Sequence, residues 1–155
     1  MDFNLDINEQ EHVGLKADVL SSLGEEILKD VKPKIQKATL SLAIVSEKDI
    51  KTMNKERRGQ DETTDVLAFS FIEGEKLASD EIFLGEIIIC KSVAIKQAKG
   101  YGHDIHKEVE VLFVHGLLHI LGYDHESPDE LNKMLELEQR FLKEKAGLIS
   151  RSENA

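Results

Sequence analysis

The run Phe83-Leu-Gly-Glu-Ile-Ile-Ile-Cys90 constrains the fold more than any other stretch of the chain. Successive side chains of a strand point to opposite faces, so a strand that is apolar almost without interruption must be covered on both. It therefore predicts a central strand. Phe3-Asn-Leu-Asp-Ile7 alternates as a half-buried strand does, and Leu40, Leu42 and Ile44 alternate with Thr39, Ser41 and Ala43 in a second. Val66-Leu-Ala-Phe-Ser-Phe71 reads as a third, which makes Phe83–Cys90 the fourth.

Helical spacing fills the intervals. Leu15, Val19, Leu20, Leu23, Ile27 and Leu28 predict a helix over 14–31 that Pro33 stops. Ser46 with Asp49 marks a short helix start, with Ile50 and Met53 as its apolar side. Ser92 opens another helix, ended by Gly100 or Gly102, and a strongly apolar one follows over 104–121. Ser127-Pro-Asp-Glu130 begins the last, which runs to about Lys145 with Gly147 beyond it. The order indicates an α+β fold: a small mixed four-stranded sheet packed with helices, one of them a zincin-like metal helix. A length of 155 residues fits one domain over 1–149 with a frayed tail at 150–155.

The net charge of −10 argues against a nonspecific nucleic-acid binder, because phosphate contacts need clustered Lys and Arg. Yet Lys48, Lys51, Lys55, Arg57 and Arg58 fall close together, so a basic patch on an acidic body is expected. The acidic excess collects at 25–26, 73–81 and 129–138, the second of these an exposed loop. The lone Cys90 excludes an internal disulfide, reads as a small core residue and fits a reducing cytosol. The acidic, alternating start is unlike a signal peptide, and no apolar run is long enough to span a bilayer. A cytoplasmic protein without a membrane association is the expectation.

Chemistry concentrates in His115-Gly-Leu-Leu-His119-Ile-Leu-Gly-Tyr-Asp-His125. Helical residues four apart share a face, so His115 and His119 can direct both imidazoles to one point. Gly122 can end the helix, and the turn after it can return His125 toward the pair. Three neutral nitrogens suit one zinc ion and leave a fourth position open, as in a catalytic site. Nickel, cobalt or copper would fit the same donors. The outline matches the metzincin signature His-Glu-x-x-His-x-x-Gly-x-x-His, except that Gly116 stands where the general-base glutamate belongs.

The full string, together with Met53-Asn-Lys-Glu-Arg-Arg58-Gly-Gln-Asp-Glu-Thr-Thr-Asp65-Val-Leu-Ala-Phe69 and Leu84-Gly85-Glu86-Ile87, resembles the YbeY family of bacterial endoribonucleases. The resemblance runs nearly the whole chain in order and length. Ala68 replaces the family's usual Ser, and Glu86 its usual Asp. It implies a zinc-dependent endoribonuclease that cleaves single-stranded rRNA in late 16S rRNA 3′-end maturation, ribosome biogenesis and quality control. It also implies a small-subunit ribosomal protein and an assembly GTPase as partners. Arg58 matches the family's arginine and, with His115, is the catalytic candidate, since a planar guanidinium suits the charge of a phosphodiester transition state. Arg57 reads as a phosphate contact or simply exposed. Asp65 is expected to order its loop, with a second role supporting a ligand histidine as the alternative. Asp124 either orients a ligand or caps the turn, and Tyr123 packs. His103 and His106 read as surface or helix-start residues, and His12 as exposed. Two further readings remain open: another metallohydrolase such as a peptidase, which Gly116 opposes, and a ribosome-assembly binding factor with structural zinc.

Overall fold

In the computed structural model of the chain, which describes residues 1–72, 81–124 and 126–143, the apolar run is an inner strand of a four-stranded sheet. In chain order the elements are β1 (Asp2–Glu9), α1 (Ala17–Val31), β2 (Lys37–Val45), α2 (Glu47–Arg58), β3 (Val66–Ser70), β4 (Glu81–Cys90), α3 (Lys91–Tyr101), α4 (Ile105–Ile120) and α5 (Pro128–Leu142). The strands lie in the order β1-β2-β4-β3, with β1, β2 and β4 parallel and β3 antiparallel to β4. The sheet is thus mixed, with β3 at one edge. Among the described residues no helix is long and apolar enough to cross a membrane.

The continuous apolarity of β4 goes with its inner place in the sheet and with burial on both faces. Its Ile87 and Ile89 join a core with α1, α4 and α5 on the inner face of the sheet. Its Ile88 and Cys90 join a smaller core on the outer face with Ile50 and Met53 of α2 and Val93 of α3. Cys90 is fully buried, as expected of a small core residue. At the other end of β4 the pairing with β2 shifts between Thr39 and Leu40, a β-bulge in which Leu84, next to Gly85, is the extra residue. Gly85 has φ 153°, and a Cβ there would stand 2.1 Å from the Phe69 carbonyl oxygen. Only glycine fits such an approach of two backbones.

Some boundaries differ from the periodicity. The first helix begins at Ala17 rather than Gly14, because the Glu9 carboxylate accepts from the N–H groups of Val13 (2.7 Å) and Gly14 (2.9 Å) and holds a turn there. Gly100 lies inside α3, and Gly102, left-handed at φ 73°, ends it. The last helix stops at Leu142, with Lys143 left-handed at φ 57°. The acidic loop at 73–80, Gly147, the expected tail and His125 lie outside the described residues.

Candidate metal centre

The helix expected to carry the histidines is α4, and it is anchored at both ends and along its length. Its N-cap is Asp104, whose carboxylate accepts from the Lys107 N–H at 2.9 Å. That bond, more than the opposing effect of slight burial, holds the Asp104 carboxyl below its ordinary range. In the first turn Glu108 is fully buried and accepts from Gln97 Nε2 (2.8 Å), with His103 Nε2 2.7 Å from its other oxygen. Val111, Leu112, Phe113, Val114, Leu117 and Leu118 are buried, each contributing roughly 1.5–3 kcal/mol relative to exposure. At the C-terminus the Gly122 N–H donates to the His119 carbonyl and the Tyr123 N–H to Leu118, which is a Schellman ending with Gly122 at φ 104°. Ser70, at the end of the edge strand, donates its hydroxyl to the Ile120 carbonyl at 3.0 Å. These contacts fix the axial position and rotation of α4, and hence of its histidines.

His115 is 5 % exposed, and its Nδ1 lies 3.0 Å from Oε1 of Glu138, itself 3 % exposed on α5. The carboxylate accepts from Nδ1–H, so Nε2 is the nitrogen with a lone pair to give. A histidine oriented by a buried carboxylate through one nitrogen is the usual arrangement of a metal ligand. His119 follows one turn later on the same face and is half-buried. The chemistry of this donor pair therefore fits a divalent transition metal. The third expected ligand, His125, lies outside the described residues. Gly116 faces the sheet, where a Cβ would come 3.2 Å from Cγ2 of Ile87. Close approach of α4 to β4 thus accounts for glycine at the position where peptidases carry glutamate.

Glu138 escaped the sequence reading. It does leave a trace: it lies on the apolar stripe of α5, among Met134, Leu137 and Phe141, where a carboxylate needs a partner. A second group also emerges beyond Gly122. The carboxylates of Asp124, Glu126 and Glu130 bring an oxygen each within 4.8 Å of one another, an all-oxygen set suited to hard cations rather than to zinc.

Arg58 is the last residue of α2 and is exposed, followed by Gly59 at φ 73°. Buried Asn54 donates from Nδ2 to the Glu62 carbonyl (2.9 Å) and shapes the loop beyond it. Asp65 orders the end of that loop, as expected: its Oδ1 accepts from the Val66 N–H at 2.8 Å, and its carbonyl accepts from the Cys90 N–H. Support of a histidine falls to Glu138. Arg57 is not a free surface cation. Its guanidinium donates to Oε2 of Glu86 at 3.1 Å and lies over the Phe69 ring, 4.9 Å from the centroid. Glu86 is accordingly the anchor of α2 on the outer face of the sheet. His103 is a half-buried partner of Glu108 rather than a surface group, and His106 Nε2 lies 2.8 Å from the Gly14 carbonyl oxygen. His12 is exposed beside Glu9, and Tyr123 packs against the inner core. Arg58 and the two histidines therefore stand on helices covering opposite faces, with the β3 edge between them.

Comparison with known proteins gives one answer. The family model described as Endoribonuclease YbeY matches residues 6–146. An Endoribonuclease YbeY of Pelotomaculum thermopropionicum is 39% identical over 126 residues, covering 80% of this chain and 82% of that protein. One of Halalkalibacterium halodurans is 35% identical over 150 residues, covering 90% and 94%. The solution structure of TM1509 from Thermotoga maritima superposes with a TM-score of 0.59 at 31% identity, covering 90% of this chain and 87% of that one. With the family model, the curated relatives and the solved structure in agreement, the chain belongs to the Endoribonuclease YbeY family.

Proposed function

We propose that this chain is a cytoplasmic, zinc-dependent endoribonuclease that cleaves single-stranded rRNA during late 16S rRNA 3′-end maturation. His115, His119 and His125 hold one zinc ion per chain, and a small-subunit ribosomal protein and an assembly GTPase are its partners. The observation that carries this reading is the buried His115–Glu138 pair at 3.0 Å, on a helix that presents His119 one turn later. Bound there, the cation supplies Lewis acidity toward a phosphoryl oxygen and toward water.

The remaining work falls to the chain itself. Glu138 fixes the His115 tautomer and ring plane, so the ligand is oriented before the metal arrives. Arg58 neutralises charge on the scissile phosphate, which a guanidinium does in fork geometry. Lys48, Lys51 and Lys55 lie on the exposed side of α2 and make no ion pair among the described residues, so they are available to the phosphates of the strand beyond Arg58. RNA passing the β3 edge meets α2 on one side and the C-terminus of α4 on the other.

The test pairs elemental analysis with cleavage of a single-stranded rRNA fragment. Wild type is expected to carry one zinc per chain and to cut. His115→Ala and His125→Ala are expected to lose both properties while keeping the circular dichroism of the fold. Undiminished cleavage by a clean His115→Ala/His119→Ala preparation overturns the proposal.

A further inference from the structure

Two phenylalanines flank the β3–β4 connection on the outer face of the sheet and are left half in solvent. Phe71 is 48% and Phe83 55% exposed, and their rings stack with centroids 6.3 Å apart and planes 29° from parallel. Both positions are pinned by backbone: the Phe71 N–H donates to the Leu84 carbonyl at 3.0 Å, and Phe83 pairs with Thr39 of β2. The other exposed large apolar side chains among the described residues, Met1, Val19 and Leu131, lie on β1's approach and on α1 and α5. Core packing does not account for the Phe71–Phe83 pair, because half of each ring stays wet.

We propose that the Phe71–Phe83 pair is a base-stacking platform that holds an unpaired base of single-stranded RNA at the β3 edge, across from the candidate ligands. This rests on the nuclease reading above and adds the recognition element that reading lacks. Its position follows from the chain. Phe71 adjoins Ser70, whose hydroxyl bonds the Ile120 carbonyl, and Ile120 adjoins His119. The platform therefore stands on the outer face at the β3 edge, and the end of α4 that carries the candidate ligands lies across that edge on the inner face. Two positions back along the same strand, Phe69 carries the Arg57 guanidinium on its face, and the last turn of α2 adds Lys55 and Arg58. Aromatic faces with cations alongside match a nucleotide, whose base offers a π-face and whose phosphate offers charge. Among the described residues, Glu86 is paired with Arg57 at 3.1 Å and Glu81 lies 4.0 Å from Lys37. Area favours a base over a protein: two half-exposed rings offer on the order of 200 Å², against about 800 Å² per partner in a stable protein interface. Stacking accepts any base but requires it unpaired, which would make the platform a source of selectivity for single strands.

The test is binding of a fluorescein-labelled 12-nucleotide single strand, 2′-O-methylated and phosphorothioate-linked to resist cleavage, to the zinc-loaded protein. Phe71→Ala and Phe83→Ala are expected to weaken binding by about 5- to 150-fold. Phe71→Tyr should stay within about twofold of wild type, and Phe71→Leu, which keeps an apolar cover without a π-face, should behave as the alanine variant. The salt dependence should be unchanged, since no phosphate contact is removed. Wild-type affinity in Phe71→Leu overturns the platform even if the alanine variants unfold. So does a wild-type dimer that the alanine variants dissolve, which would assign the patch to a second copy. Failure of wild type to bind or cut RNA overturns the nuclease reading instead, and is told apart by that control.

Discussion

Replacing Glu138 should separate the metal's contribution from that of the fold. The carboxylate takes the Nδ1–H of His115 at 3.0 Å, and both groups are nearly inaccessible. In Glu138→Gln the amide oxygen can still accept that bond, so charge is lost while orientation survives. In Glu138→Leu the donor is left buried without its acceptor, and the ring is free to turn. Loss of such a supporting group typically weakens metal affinity 10–100-fold. Gln should lie near the lower figure and Leu near the upper. Saturating metal stabilises the native state by RT ln(1 + [metal]/Kd), so a 100-fold loss lowers that stabilisation by about 2.7 kcal/mol at fixed metal. For a chain of this size about 1 kcal/mol corresponds to ~2–4 °C, so the Tm gap between zinc-loaded and zinc-free protein should shrink by ~5–11 °C in Glu138→Leu. The metal-free variant should also melt lower, because the buried Nδ1–H loses its acceptor at a cost of about 1–3 kcal/mol, so the gap between loaded and free protein is what reports the metal. Competition against a zinc-binding dye gives Kd, and paired thermal melts give the gap. Wild-type affinity in Glu138→Leu, or an equal drop in Tm with and without zinc, would refute the assignment of His115 as a ligand and make the pair purely structural.

Four further outcomes are expected. Gly85→Ala should be strongly destabilising, since its Cβ would stand 2.1 Å from the Phe69 carbonyl oxygen; urea midpoints would register a loss of about 3 kcal/mol or more. Acid stability should depend on Glu9. Burial alone would raise its carboxyl, but N–H bonds from Val13, Gly14 and Leu15 and the His12 charge together lower it from 4.5. A depressed folded-state pKa gives stability that is full above about 4.5 and is lost as pH falls through the lower folded value, so Glu9→Gln should flatten the fall in Tm below pH 4.5. Lys48→Ala/Lys51→Ala/Lys55→Ala should lower the slope of log K against log salt for single-stranded RNA by about 2 if each lysine meets one phosphate. A single deoxy sugar at the cut site should block cleavage if the 2′-hydroxyl attacks, and leave it intact if water does; end-group analysis decides.

The strands and helices were legible because their apolar residues repeat with periods of two and of about 3.6, and because caps such as Ser46 and Ser127 are local. The central place of β4 was legible for the same reason. What stayed hidden depends on pairings between distant segments. Glu138 meets His115 across 23 residues and two helices, and no local spacing encodes that. Arg57 and Arg58 are neighbours in sequence but point about 100° apart on a helix. Only the packing of α2 on the sheet reveals that Arg57 is tied to Glu86 and Phe69. The bulge beside Gly85 was equally silent, since a lone glycine in an apolar strand has many explanations.

Gly116 decides between the two hydrolase readings more firmly than its missing carboxylate alone. A peptidase of the His-Glu-x-x-His kind needs its glutamate to look into the cleft beside the metal. Here the side-chain direction of position 116 leads into the sheet, against Cγ2, Cδ1 and Cγ1 of Ile87 at 3.2–3.3 Å. A glutamate there would have to push α4 off β4 or bury an unpaired charge in the inner core, and either costs several kcal/mol. The rotation of α4 that seats Gly116 on Ile87 also carries His115 to Glu138 on α5. One helix orientation therefore satisfies the supported histidine and leaves no space for a peptidase base. The packing of Gly116 thus opposes the peptidase reading and agrees with the chain's membership of an endoribonuclease family.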